Sequence, residues 1–192
     1  MKKIITLIIC TIISSALLAQ TEHLKFKGVP IDGTLSEYVT ALSDQGFILL
    51  EKDGNIGALE GDFAGYKDCI IFVSTLDNKD LVNTITVKFP DCDTWSSLYG
   101  CYSNLKEMLT EKYGEPSECV EYFDSSYQPG DDREKLYFVG FDNCKYQAVF
   151  SQLNGSIVLS IEHNSTISYF VLLQYYDKAN SEIIREHAIN DL

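Results

Sequence analysis

The stretch FAGYKDCIIF, residues 63–72, shares a pattern with FDNCKYQAVF, residues 141–150. Phe63, Lys67 and Phe72 align with Phe141, Lys145 and Phe150 as F-x3-K-x4-F. Each copy is followed by an alternating apolar triplet, Ile85–Val87–Phe89 in one and Ile157–Leu159–Ile161 in the other. Each is preceded by an amphipathic helical pattern that ends in a glycine, Gly46 or Gly114. A supersecondary unit used twice is the reading that decides the fold.

Working outward, the first unit starts with a short strand over 24–27 and a turn at Pro30 and Gly33. Thr34 and Glu37 have capping-box spacing, so a helix runs from there to Gln45 with Leu35, Tyr38, Val39 and Leu42 on one face. Strands follow over 47–51, 56–63, 68–75 and 82–89, with Asp53-Gly54-Asn55 and Ala64-Gly65 as turns. Thr84, Thr86 and Lys88 alternate with the apolar triplet and point outward. A polar connection joins the last two strands over 76–81.

In the second unit, Asp93 or Thr94 caps a helix reaching Tyr113, with Leu98, Tyr102, Leu105 and Leu109 buried and Trp95 and Met108 in support. Gly100 within it suggests a close approach to the sheet. Strands follow over 119–123, 136–141, 145–151 and 157–162. The acidic segment 124–134, with Pro129-Gly130, reads as an exposed loop. A further strand over 168–176 and a helix with Ile183, Ile184, Ala188 and Leu192 inward close the chain. The expected class is α+β: two helix-plus-four-antiparallel-strand units, one continuous sheet with helices on one face, and a C-terminal strand and helix. The other face of such a sheet is open to solvent or a partner.

Lys2 and Lys3, the apolar run 4–18 and Ala19 have the pattern of a bacterial secretory signal peptide over 1–19. The run falls short of the roughly 20 residues that a comfortable membrane span needs, and polar Gln20, Thr21 and Glu22 follow it. No integral span is therefore expected after cleavage. The first unit then covers 20–90 and the second 91–192, and the destination is the periplasm, the cell surface or the medium. The chain carries 28 acidic and 15 basic residues, and removing Lys2 and Lys3 leaves 13 basic ones, a formal balance of −15. Such a balance argues against nucleic acid or an anionic membrane as partner.

Outside the leader stand Cys69, Cys92, Cys101, Cys119 and Cys144, none at C-x-x-C spacing. Strand pairing would bring Cys69 towards Cys92, and Cys119 towards Cys144 or Cys101. Buried free thiols are the equal alternative. The histidines, His23, His163 and His187, lack metal-ligand spacing. No G-x-S-x-G, H-E-x-x-H or phosphate-loop string occurs. Distant positions can still assemble a Cys–His dyad, for example Cys144 with His163, although nothing in the flanking residues resembles a thiol-protease site. Asp91 and Asp93 suit a helix start, and Asp131 and Asp132 read as solvated loop acids. No catalytic residue, cofactor or metal is expected, and the residues of a binding face are unknown at this level. Of twelve tyrosines, most lie in the second unit: Tyr99, Tyr102, Tyr113, Tyr122, Tyr127, Tyr137, Tyr146, Tyr169, Tyr175 and Tyr176. Tyrosine suits both interfaces and ordinary strands, and as a group these give the second unit the better claim to a binding face.

The tandem helix-plus-four-strand order resembles the β-lactamase-inhibitor-like fold over most of the mature chain, without a motif-level match. The segments FKGVPIDG, residues 26–33, and WSSLY, residues 95–99, resemble uncharacterised small secreted proteins of gut Bacteroidetes. That resemblance implies export and carries no function. The residues point to a secreted or periplasmic protein-binding or inhibitor-like module that is not an enzyme, with an envelope hydrolase of unrecognised site as the alternative.

Overall fold

A computed structural model describes residues 22–76, 79–124, 129–165 and 167–190, without the side chains of 184, 187, 188 and 190. The leader reading, Tyr127 and the inward placement of Ile184, Ala188 and Leu192 fall outside what is described. A small hairpin of β1 (Lys25–Phe26) and β2 (Val29–Pro30) precedes helix α1 (Leu35–Ser43). Four strands follow: β3 (Ile48–Asp53), β4 (Ile56–Phe63), β5 (Tyr66–Leu76) and β6 (Lys79–Lys88). Helix α2 (Trp95–Tyr113), β7 (Glu118–Phe123), α3 (Asp132–Gly140), β8 (Cys144–Gln152), β9 (Gly155–His163), β10 (Tyr169–Asp177) and α4 (Lys178–Asn190) complete the chain.

The large sheet has eight antiparallel strands in the order β3-β4-β5-β6-β10-β9-β8-β7. Each half is a meander, and the halves meet through their last strands, β6 and β10. This is the tandem unit arranged about a pseudo-two-fold axis, with β3, β4, β5 and β6 answering to β7, β8, β9 and β10. On one face lie α1 and α2, with α3 held beside α2 through Asp132 and Ser96. Asn180 of α4 donates to the carbonyls of Ile31 and Val82 in the same layer.

Local chemistry explains the helices. The Thr34 hydroxyl accepts from the Glu37 amide while the Glu37 carboxylate accepts from the Thr34 amide, a complete capping box. Thr94 caps α2 by accepting from the Ser97 amide. The stripe Leu35, Tyr38, Val39 and Leu42 is buried, as is Leu98, Tyr102, Leu105 and Leu109. Beneath them Ile85, Val87, Phe89, Ile157 and Leu159 are wholly buried. Each such aliphatic side chain contributes about 1.5–3 kcal/mol on burial.

Two expectations need correction. Residues 136–141 are not a strand, since 136–140 belong to α3 and Phe141 caps its end. Asp131 accepts from the Glu134 amide at 2.9 Å, a D-x-x-E start that shortens the acidic loop and outweighs the strand-like Leu-Tyr-Phe-Val run. The fourth strand of the second unit is therefore β10. The F-x3-K-x4-F match consequently pairs β5 with β8, one strand out of step with the architecture. Phe72 and Phe150 even face opposite sides of the sheet: Phe72 sits beside Ala58 and Thr86 on the open side, whereas Phe150 is in the core.

Gly100 also differs from expectation, because a Cβ there would meet nothing within 4 Å. The helix-to-sheet approach lies at Gly57, where a Cβ would stand 2.8 Å from Val39 of α1, and a Cβ on Gly61 would stand 2.4 Å from the Phe47 ring. Gly100→Ala is expected to stabilise the fold by about 1 kcal/mol, and Gly61→Ala to destabilise it by about 1–3 kcal/mol. Equilibrium denaturation of the two variants measures both, and equal effects would contradict the two packing environments.

Candidate functional site

Strand register defines the side of the sheet opposite α1 and α2. One row crosses all eight strands: Glu51, Ala58, Phe72, Thr86, Gln174, Val158, Val149 and Glu118. The next row runs Ile48, Glu60, Ile70, Lys88, Leu172, Ser160, Gln147 and Val120. A third carries Ile56, Ser74, Thr84, Tyr176, Ser156 and Ser151. Most of these side chains are half-buried by their neighbours within the sheet, and none belongs to the main hydrophobic core cluster.

Between β5 and β8 these rows hold a single charge, Lys88. Its ammonium is bonded to Asp91 and stands 4.5 Å from the Phe170 ring centroid. Within these rows carboxylates stand at Glu51, Glu60 and Glu118, with Asp53 opposite Ile56, while the row beyond them adds Glu162 on β9 and Lys145 on β8. A charge-poor centre of aliphatic, hydroxyl and amide groups inside an acidic margin is the composition of an interface core with a polar rim.

Cys144 and His163, the candidate dyad, do line one cleft of about 170 Å³, together with Asp142, Ser160 and Glu162. Its chemistry is not that of a nucleophile and base. His163 Nε2 lies 3.0 Å from Asp142 Oδ1 and Nδ1 lies 2.9 Å from the Ser165 carbonyl oxygen. Both partners accept, so the imidazolium satisfies both bonds at once. The Asp142 bond raises the His163 pKa above its ordinary value, with burial opposing and the Ser165 carbonyl assisting. Burial pushes the Cys144 thiol up to about 12. The Cys144 thiol therefore stays protonated at neutral pH, and both imidazole nitrogens of His163 face acceptors.

The five described cysteines are free thiols. Cys69 lies inward on β5 with its thiol 3.8 Å from the Tyr66 carbonyl oxygen. Cys101 hydrogen-bonds the Tyr66 side chain, and Cys92 is close enough to influence both. Burial raises Cys69 to about 11 and Cys101 to about 12. Cys119 sits opposite Ala148, four places along β8 from Cys144, so strand pairing separates these two thiols.

The remaining candidates have structural partners. Asp131 caps α3, and Asp132 accepts from the amide and hydroxyl of Ser96, so neither is a free loop acid. Asp91 accepts from Lys88 and Ser168. His23 lies 3.1 Å from Asp177 Oδ2. Among the described residues no group of three or more His, Cys, Asp or Glu side chains is arranged to hold a metal ion. No helix among them is long and apolar enough to cross a membrane.

The tyrosines do not gather on the open side. Tyr146 contacts the rings of Trp95, Tyr99, Tyr102 and Phe123, all in the helix-side layer. From Phe123 the contacts continue through Phe138 to Tyr137 and Phe141 on α3. Among the described tyrosines only Tyr122 and Tyr176 share the open side. The aromatic enrichment of the second unit therefore mainly fills the space around α2 and α3. No protein-family model, curated protein or solved structure matches this chain.

Two outcomes follow from the cleft and the thiols. The raised His163 pKa stabilises the fold fully below its unfolded value of about 6.5, and this is lost as pH rises through the higher folded value. Melting temperature should therefore fall from pH 6 to pH 8 (roughly the span of the imidazole titration), and His163→Gln should flatten that change. In maleimide labelling of the native chain, exposed Cys119 should react before buried Cys69 and Cys101. Peptide mapping at short times checks that order.

Proposed function

We propose that this chain is an exported, non-enzymatic module that binds a protein partner through the open side of its eight-stranded sheet. The observation that carries the reading is the row from Glu51 to Glu118, acidic at both ends and uncharged across the six strands between. Proteins bury such surfaces because apolar groups gain on leaving water and hydroxyl or amide groups can be re-paired with a partner's, whereas unpaired charges cost far more to desolvate. The acidic margin favours a partner with basic groups around its contact and disfavours nucleic acid. The leader pattern supports export to the periplasm, cell surface or medium. A purely packing-based contact asks for no cofactor. Against the alternative of an envelope hydrolase stands the occupied His163, whose two ring nitrogens both face acceptors.

The test uses immobilised mature chain to capture proteins from envelope and host extracts, identification by mass spectrometry, and repeat binding with the purified candidate. A variant carrying Phe72→Asp, Leu172→Lys and Val158→Lys should lower affinity at least about tenfold, a loss of about 1.4 kcal/mol, with an unchanged circular dichroism spectrum. Undiminished binding by the folded variant would rule out this surface.

A further inference from the structure

β3 ends the sheet, pairing with β4 on one side only, so its outer row of amide and carbonyl groups has no strand partner. All six of its residues are exposed, and Ile48, Leu49 and Leu50 are 66%, 45% and 52% accessible. The opposite edge is different in kind. β7 carries Glu118 and Glu121, and Glu121 is tied to Lys106 and Tyr102 of α2. Charge is the usual protection of an edge, and the first half of β3 has none.

A cavity of about 400 Å³ opens where β3 starts. It is lined by Phe47 and Ile48, by Lys27, and by the carboxylates of Glu60, Asp62 and Asp68. The Lys27 ammonium stands 5.8 Å from the Phe47 ring centroid. None of the three carboxylates forms an ion pair with a described residue. The local field favours a cation, and the adjacent strand edge favours an extended backbone.

We propose that β3 receives an extended segment of a partner protein as a ninth strand, with a Lys or Arg of that segment placed in the acidic cavity. Main-chain hydrogen bonds would supply adhesion, alternate apolar side chains would cover Ile48 to Leu50, and the carboxylates would select the basic residue. A second copy of this chain fits poorly. Ile48 and Asp53 share the open side, and Leu49 and Lys52 the helix side. Antiparallel pairing of two β3 edges over their full length, which keeps these sides continuous, sets Ile48 opposite Asp53 of the copy. A carboxylate is then added beside a cavity that already holds three, between chains of formal charge −13 each. The edge shares Ile48 and Glu60 with the margin of the open side, but its contact is the outer backbone of β3 rather than the centre of the sheet, so this proposal does not depend on the function proposed above.

The probes are short fluorescein-labelled peptides of alternating Val and Thr with Lys-Arg at one end, in both orders, and matched peptides ending in Glu-Glu. Anisotropy titration should show micromolar binding by a Lys-Arg peptide and at least about tenfold weaker binding by its Glu-Glu counterpart. Glu60→Gln with Asp62→Asn should erase that preference. Leu50→Lys should weaken binding of the Lys-Arg peptide, and Leu172→Lys on the open side should leave it unchanged. Amide exchange along β3 should slow when the peptide is bound. Absence of binding, equal affinity for both peptide charges, unprotected β3 amides, or a β3-dependent dimer without peptide would each overturn the proposal.

Discussion

The pairing of β6 with β10 holds the molecule together as one object. Each meander is built from contacts between neighbours in sequence, whereas Leu172 opposite Lys88 and Tyr176 opposite Thr84 join strands from different halves. Register is fixed by what lies on the helix side. Val87 stands opposite Leu173 and Ile85 opposite Tyr175, all buried under the helices. A slip of β10 by one residue would turn Leu173 and Tyr175 outward and bring Leu172, Gln174 and Tyr176 into the core. The composition of the open side thus follows from the burial of the other side. Because both halves abut at their last strands, their exposed rows merge into one uninterrupted surface.

A second node fastens the far end of β10. Asp177 is wholly buried and occupies an inward position where an apolar residue would ordinarily sit. Its carboxylate accepts from the Leu24 amide at 2.7 Å, the Asn180 amide at 2.9 Å and His23 Nδ1 at 3.1 Å. Asn180 then donates to the carbonyls of Ile31 and Val82. A buried carboxylate is tolerable only when hydrogen-bonded in this way. One polar cluster therefore joins the segment at His23 and Leu24, the end of the sheet and the start of α4.

Much of this architecture is legible in sequence because its periods are clean. The alternation over 82–89 and the helical stripes at 35–42 and 98–109 each imply one buried face, and those faces are the buried ones. Residues 136–141 mislead because Leu-Tyr-Phe-Val reads equally as strand or buried helix, and the decisive sign, Asp131 with Glu134, lies outside the apolar run. The sheet order was beyond local reading, since nothing in β6 or β10 alone names its partner. The same holds for the site. An open side follows from having one helical layer, but Phe72 joins it and Phe150 does not, and only cross-strand register separates the two.

A charge-poor sheet surface of this breadth invites two copies to stack on it, and the distribution of acid opposes that. Glu51 and Glu118 end the same row, so two sheets laid face to face in either direction bring like charges together at both margins. At the low effective dielectric of a closing contact such repulsion rises steeply, while a partner bearing basic groups in the same places gains from it. The chain's acidity, read as a whole, speaks only for solubility. Placed at the ends of a neutral row, it disfavours a second copy of the same surface and would favour a basic one.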